Sequence, residues 1–341
     1  MSKKTRIAIN GFGRIGSQAF KIAFEDHKDD LEIVAVNDPS PIEDSVFKLK
    51  YDSVYGKFKH DVSSKGEDLI VDGVTIKKFG EREPELLPWK DLDIDVVLEC
   101  TGLFRDKEGA GKHIQAGAKS VIISAPAKGD DAIGTYVMGV NHDKHDVKEQ
   151  QIISNASCTT NCIAPVMYVL ENTFGIEKAM MSTIHGYTAD QRLVDGTHSD
   201  PRRARSAAIN IIPTETGAAA ATGLTIDSLQ GKFDGMAFRV PVPVGSVSDI
   251  TAVLKKDVTV EEVNKAFEEA AATDRFKNIM GVTYDPIVST DIIGNPLSSL
   301  VDLSLTMVVG GNLLKVISWY DNEYGYSHRL VEQAREVGKD F

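Results

Sequence analysis

Cysteine is scarce in this chain, with three in 341 residues. So few, and an odd number, do not build a disulfide framework, so a reducing cytoplasm is the expected setting. Long apolar runs are missing as well. None reaches membrane-spanning length, and Met1-Ser2-Lys3-Lys4-Thr5 leads straight into a strand without the apolar core of a signal peptide. Nor is there an excess of positive charge. The 38 Lys and Arg stand against 50 Asp and Glu, and the net charge of -12 argues against nucleic acid or an anionic membrane as the main partner. A metal-ligand set is also lacking. Cys158 and Cys162 stand four apart on one helical face, a spacing that suits a disulfide or a metal, but no nearby Cys/His pair completes a zinc site, so no metal is expected. What remains is an ordinary globular composition in a chain long enough for two domains.

The strand Arg6–Asn10 runs directly into Gly11-Phe12-Gly13-Arg14-Ile15-Gly16. A helix is expected over about Ser17–Phe24, and a second strand, Glu32–Asp38, ends in an acid 22 residues after Gly16. This context turns a weak glycine pattern into a dinucleotide fingerprint. Gly11 permits the tight turn, Gly13 lets a pyrophosphate approach the backbone, and Gly16 lets the helix pack on the strand. Asp38 would accept from the adenosine ribose hydroxyls and repel a 2′-phosphate, favouring NAD over NADP. Further strands at Val96–Cys100 and Ser120–Ser124, with helical sequence near Lys107–Ala116 between them, imply a parallel sheet covered on both faces. Thr101, Gly102 and Ser124 then lie at carboxyl ends of strands, where cofactors bind. Residues 50–90 are charged and punctuated by Gly and Pro, and read as an insertion holding a strand pair, 69–71 with 74–76.

Cys158 sits where the strand Gln151–Ser154 gives way to helical sequence, which is expected over Ile163–Leu170 with Pro165 in its first turn. Unpaired amides at a helix N-terminus lower a thiol pKa, and Ser157, Thr159, Thr160 and Asn161 surround the thiol with small polar groups. The alternative, a buried cysteine acting as a small hydrophobe, suits Cys100 better. Beyond Asn155 the pattern changes to long alternating strands near 180–185, 236–241, 247–254, 300–307 and 313–319, the mark of an antiparallel sheet with one face covered. Helices are expected at Val260–Ala272 and Tyr324–Val337, the latter returning to the first domain, while 207–224 reads as loop at its start. His185 ends a strand beside Gly186, Tyr187 and Thr188, as a base or as a structural histidine. Arg202-Arg203-Ala204-Arg205 is one dense basic cluster in an acidic chain, suited either to solvent or to a phosphate clamp.

Together, Ile9–Gly16 and Ser154–Cys162 make the chain resemble phosphorylating glyceraldehyde-3-phosphate dehydrogenases. The resemblance continues through Glu99–Gly102, Ser124–Pro126, Met138–His142, Ile211–Thr214, Arg239–Pro241 and Trp319–Glu323. It implies an α/β fold: a doubly wound (Rossmann) NAD-binding domain, 1–156 completed by a C-terminal helix at 323–341, and an α+β catalytic domain, 157–322, with a mainly antiparallel sheet. It further implies a cytoplasmic homotetramer acting on a phosphorylated aldehyde and inorganic phosphate. By position, Cys158 matches the nucleophile and His185 its base. Thr188 and Arg239 match the site for the substrate's phosphate. Ser157, Thr159, Thr216 and Gly217 match the inorganic-phosphate site, with Arg202 or a neighbour in its cluster. Arg14, Ile15, Asp38, Arg82, Ser124 and Asn322 fall on cofactor-contact positions, and Tyr326 matches the residue flanking the nicotinamide.

The chain departs from the family pattern in three places. Gly196 and Thr197 replace a common Leu-Pro, which leaves room for some NADP use beside the preferred NAD. Ala218–Ala221 lacks the usual lysine. Pro201 replaces an apolar or aromatic residue and leaves open which arginine clamps phosphate. The alternatives are an erythrose-4-phosphate dehydrogenase, which has the same Cys and His, and a catalytically idle NAD-binding regulator.

Overall fold

The computed structural model describes residues 3–129 and 133–341, so the lead-in at Met1 and Ser2 lies outside the described residues. The chain divides into two compact units. One comprises residues 1–136, 142–156 and 327–341; the other comprises 137–141 and 157–326.

In the first unit β1 (Thr5–Asn10) feeds α1 (Arg14–Asp26), then β2 (Leu31–Asn37) and α2 (Ile42–Lys50). A ribbon of β3 (Tyr51–Asp52) and β4 (Gly56–Lys57) precedes β5 (Val62–Lys65), β6 (Asp68–Val71) and β7 (Val74–Phe79). After β8 (Val96–Glu99) come α3 (Lys107–Gln115), β9 (Ser120–Ile123), β10 (Gly134–Thr135) and β11 (Ile152–Ser154). These strands, apart from the ribbon, form a nine-stranded sheet in the order β10-β11-β9-β8-β1-β2-β7-β6-β5. Pairing is parallel from β10 to β7 and antiparallel beyond. Val96, Val97 and Leu98 are wholly buried, as a strand covered on both faces requires. Phe20 of α1 meets Phe12 edge-on at 5.7 Å, packing the helix against the turn that leads into it.

One expectation is sharpened and one changes here. The insertion at 50–90 carries the expected pairing of 69–71 with 74–76, and it joins the sheet, because β7 pairs in parallel with β2 and the β5–β7 meander extends its edge. Helix α1 begins at Arg14, inside the glycine motif, because Gly13 already serves as its N-cap.

In the second unit α4 (Cys158–Thr173) is followed by β12 (Ile176–Gly186), β13 (Ile212–Glu215), α5 (Ala218–Thr225), β14 (Phe233–Val240) and β15 (Ser246–Leu254). Then come α6 (Val260–Ala271), β16 (Met280–Thr283), β17 (Ser299–Val309) and β18 (Leu313–Tyr320). The seven strands order as β13-β14-β12-β15-β18-β17-β16, antiparallel except for β12–β14 and β16–β17. Strand β15 alternates buried and half-buried along its whole length, and its inner face joins α4 and α6 in a core around Ile250, Val263 and Phe267. A capping box between Thr259 and Glu262 fixes the start of α6. Helix α7 (Tyr324–Gly338) starts in this unit, and its later turns belong to the first.

Pro165 does not lie in a first turn. Helix α4 starts at Cys158 and buries Pro165 within its interior. A proline there removes the bond back to the residue-161 carbonyl. The burial of Cys162, Ile163, Val166, Met167 and Leu170 in the core outweighs that local cost. The stretch expected to start as a loop contains β13, which pairs along β14.

Candidate active site

Cys158 is the first residue of α4. Ser157 caps the helix, its hydroxyl accepting from Thr160 N at 3.0 Å and lying 2.7 Å from Thr160 Oγ1. Ala156, just before the cap, is held at φ 57°, a left-handed conformation that a side chain disfavours by about 1–2 kcal/mol. The chain thus takes a left-handed step immediately before the cap and the thiol.

His185, at the carboxyl end of β12, brings Nε2 to 3.4 Å from Cys158 Sγ. Its Nδ1 lies 2.6 Å from the Gly186 carbonyl and 2.9 Å from Arg239 Nη1. The carbonyl only accepts and makes the shorter contact, so the proton is assigned to Nδ1; the Arg239 N–H, which only donates, is then taken by the same Gly186 carbonyl at 3.2 Å, and the Nε2 lone pair faces the sulfur. Burial, and next the Arg239 charge, hold the imidazole down at about 3, so it is neutral and basic in form at neutral pH.

The thiol corrects the reading from sequence. A helix N-terminus alone would lower its pKa, but burial pushes it above the ordinary value. The Arg239 charge, the hydroxyl and N–H of Thr159 and the N–H of Cys158 itself act the other way without overcoming burial. At rest the pair is a neutral thiol facing a neutral imidazole.

Arg239 and Thr188 complete this group: Nη1 of Arg239 also reaches the Gly186 carbonyl at 3.2 Å and Thr188 Oγ1 at 3.5 Å. Arg239 Nε is buried and has no hydrogen-bond partner among the described residues, an orphan donor suited to an anion. Tyr320, given no role by sequence, lies under the pair. Its ring meets His185 edge-on at 5.9 Å, and its hydroxyl bonds to Thr159 Oγ1 at 2.9 Å and Thr183 Oγ1 at 2.8 Å. Only the alternation of β18, which turns Tyr320 inward, hinted at it.

Thr216, Gly217 and Arg202 gather elsewhere, around a cavity of about 990 Å³ also lined by Asp200 and Thr214. Arg202 is exposed there. Arg203 instead turns inward to Thr214 Oγ1 at 2.9 Å and Asp190 Oδ2 at 2.8 Å. Its positive charge is felt at both His185 and Arg239. Arg205 pairs with Asp195 at the surface.

In the first unit, a cleft of about 310 Å³ is lined by Gly11, Gly13, Asp38, Arg82, Thr101 and Phe104, among others. Gly11 stands at φ 92°, and a Cβ there would lie 2.7 Å from Thr101 N. A Cβ on Gly16 would strike the Gly11 carbonyl at 2.0 Å, whereas one on Gly13 would meet nothing within 4 Å. Gly13 therefore leaves space over the start of α1, which has no side-chain cap. That is the form of a dinucleotide's pyrophosphate cradle. Asp38 accepts from Phe12 N at 2.9 Å and Ser40 N at 3.0 Å. Burial opposes its charge, but the bonds from Ser40 and Phe12 and the Lys48 charge prevail and hold the carboxyl below its usual range. A fixed carboxylate beside the cradle suits ribose hydroxyls, so the residues fit NAD.

The remaining cofactor candidates are spread more widely. Arg14 pairs with Asp52 at 2.5 Å, Ile15 is half-buried, and Ser124 donates its N–H to the Glu99 carbonyl at 2.9 Å. In the second unit Asn322 Oδ1 accepts from Gly245 N at 3.1 Å and Ser246 Oγ at 2.9 Å, and Tyr326 is buried.

A dinucleotide cradle on a doubly wound sheet, and a thiol–imidazole pair beside an anion-seeking arginine, define the class as NAD-dependent oxidoreductases. Comparison with known proteins narrows it. Residues 5–107 match the family model for the glyceraldehyde 3-phosphate dehydrogenase NAD binding domain, and residues 157–322 match that for its C-terminal domain. The chain is 52% identical over 333 residues to a glyceraldehyde-3-phosphate dehydrogenase of Streptomyces coelicolor, covering 98% of each chain. It is 52% identical over 332 residues to that of Geobacillus stearothermophilus, covering 97% of this chain and 98% of the relative. With the enzyme of Mycobacterium avium it shares 53% over 339 residues, 98% of each. The chain belongs to the glyceraldehyde 3-phosphate dehydrogenase family.

Proposed function

We propose that this chain oxidises glyceraldehyde 3-phosphate to 1,3-bisphosphoglycerate with reduction of NAD, through a covalent intermediate on Cys158. The observation that carries this reading is the 3.4 Å approach of Cys158 Sγ to His185 Nε2 at the start of a helix.

His185 Nε2 takes the thiol proton, and the sulfur adds to the aldehyde carbon. The carbonyl oxygen becomes an oxyanion, which the imidazolium N–H stabilises and then protonates, giving a thiohemiacetal. The neutral imidazole next accepts the hydroxyl proton as the carbon is oxidised to a thioester. NAD, when bound, supplies the acceptor for the hydride. An oxygen of inorganic phosphate attacks the thioester carbon, the C–S bond breaks, and the acyl phosphate leaves with Cys158 restored. The sulfur is needed because an sp² aldehyde carbon cannot release hydride, whereas a tetrahedral one can.

Arg239 and Thr188 are assigned to the substrate's own phosphate, held near the reacting carbon. Ser157, Thr159, Thr216 and Gly217 are assigned to the incoming phosphate. Of the arginine cluster, Arg202 is the candidate, because it lines the same cavity as Thr216 and Gly217, whereas Arg203 is held by Asp190 and Thr214. Gly11, Gly13, Arg14, Ile15, Gly16, Asp38, Arg82, Thr101 and Ser124 are assigned to the cofactor, together with Asn322 and Tyr326. The Asp38 charge favours NAD over NADP, while Gly196 and Thr197 leave room for limited NADP use. Residues 1–156 with the helix at 323–341 act as the NAD-binding domain and 157–322 as the catalytic domain, in a cytoplasmic homotetramer. Among the described residues no helix is long and apolar enough to cross a membrane.

The test is the initial rate of reduced-cofactor formation from glyceraldehyde 3-phosphate, with NAD or NADP, with and without phosphate. Sustained, phosphate-dependent turnover with NAD is expected. Faster turnover of erythrose 4-phosphate, or a single burst that phosphate does not extend, would overturn the assignment.

A further inference from the structure

Beneath the dinucleotide cleft lies a chain of buried polar groups that the reaction does not use. Trp89, Glu99, His113, Asn10 and Asn37 are all 3% exposed or less. Trp89 Nε1 donates to His113 Nδ1 at 2.9 Å. An indole nitrogen only donates, so Nδ1 must carry the lone pair and Nε2 the proton. That N–H lies 3.0 Å from Glu99 Oε2, which also accepts from Asn10 Nδ2 at 2.5 Å. The other oxygen, Oε1, accepts from Thr101 N at 2.8 Å and from the Thr101 hydroxyl. Asn10 passes the order on: its Oδ1 accepts from Asn37 Nδ2 at 2.7 Å, and Asn37 Oδ1 accepts from Glu81 N at 2.9 Å.

The far ends of this chain are walls of the cleft. Asn10, Asn37, Glu81 and Thr101 all line it. Gly11 rests against the Thr101 backbone, close enough that a single Cβ would not fit. A shift of Thr101 therefore moves the turn that presents the pyrophosphate cradle. Phe104, another lining residue, meets the His113 ring edge-on at 6.4 Å.

We propose that His113, its proton placed by Trp89, is a positioning residue for the dinucleotide: it orients Glu99, and through Glu99 the Thr101 and Gly11 walls of the cleft. The proposal rests on the NAD-dependent reading above. It separates donor from acceptor. In His113→Asn the side-chain carbonyl stands near Nδ1 and keeps a partner for Trp89, but no N–H reaches Glu99. In His113→Gln the amide N–H stands near Nε2 and still reaches it.

The experiment is calorimetric NAD binding to the full chain, wild type and both variants, with KM for NAD and kcat measured alongside. For His113→Asn, the Kd and KM for NAD are expected to rise roughly tenfold, with kcat at saturating NAD within about twofold, and His113→Gln recovers most of the affinity. Equal affinity in all three proteins overturns the proposal. So does an equal loss in both variants that tracks a lowered melting temperature, since that marks packing alone. Imidazole ¹⁵N spectra of the wild type give an answer without a variant: an Nε2–H tautomer at His113 supports the proposal and an Nδ1–H tautomer overturns it. A wild type that turns over with NAD while His113→Asn is unchanged sinks this inference alone. A wild type that binds no NAD sinks the functional reading and the inference with it.

Discussion

The chain feeds a strand into a helix at two functional turns, and they are finished in opposite ways. At the first, β1 enters α1 through Gly11 and Gly13, with no side-chain cap and open space over Gly13. At the second, β11 enters α4 through Ala156 and Ser157, and the cap is closed by the Ser157 hydroxyl. Both offer the positive end of a helix. The open turn leaves that end to an external anion, whereas the closed one aims a sulfur that belongs to the chain. Side chains at two or three positions decide whether the same backbone device is left open or closed by its own cap.

The comparison breaks most sharply at the sulfur. Cys158→Ser should lower kcat by about 10⁴-fold or more, because no nucleophile of matching reactivity remains, while NAD binding at the open turn stays near wild type. Kinetics with titration calorimetry check this, and a parallel loss of NAD affinity would mean the two turns are not independent. His185→Asn should cost about 10²–10⁴-fold in kcat, the usual range for a general base. It also tests the pH response of stability. Burial holds the folded imidazole at about 3, against 6.5 for an ordinary one. Between those values only the unfolded chain takes up the proton, so stability falls as pH drops through that window. Melting temperatures at pH 6.5 and about 4.5 should differ less in His185→Asn than in the wild type.

At the open turn, two glycine replacements should diverge. Gly16→Ala drives a methyl into the Gly11 carbonyl and should destabilise by about 2 kcal/mol or more, seen in chemical denaturation. Gly13→Ala meets only space, so it should leave the denaturation midpoint nearly unchanged and raise the KM for NAD by about tenfold. At the closed cap, Ser157→Ala should cost about 1 kcal/mol of stability, read from chemical denaturation.

Much of this architecture was legible in the chain, and the exceptions have physical causes. Strand–glycine–helix order, and the acid at Asp38, were readable because they are local and periodic. The start of α4 was harder. Pro165 argues for a helix beginning near it, and only burial of the whole α4 surface lets the helix run back to Cys158. Strand β13 was missed because Pro213 sits in an edge strand, where the missing N–H does little harm. The raised thiol could not be foreseen from helix polarity, since desolvation depends on what packs around the site. Arg203 and Arg202 are indistinguishable in sequence, and the fold turns one inward and leaves the other exposed.

The unequal surroundings of the three cysteines have a practical consequence. Burial pushes Cys100 and Cys162 up to about 12, with Glu99 adding to the effect at Cys100, while serine hydroxyls only partly offset it at Cys162. Cys158 alone has an imidazole within reach to take its proton. An excess of a small alkylating reagent, applied briefly at neutral pH, should therefore mark one of the three sulfurs per chain. Labelling stoichiometry then becomes a head-count of intact nucleophiles, obtainable from a mass spectrum before any substrate is added.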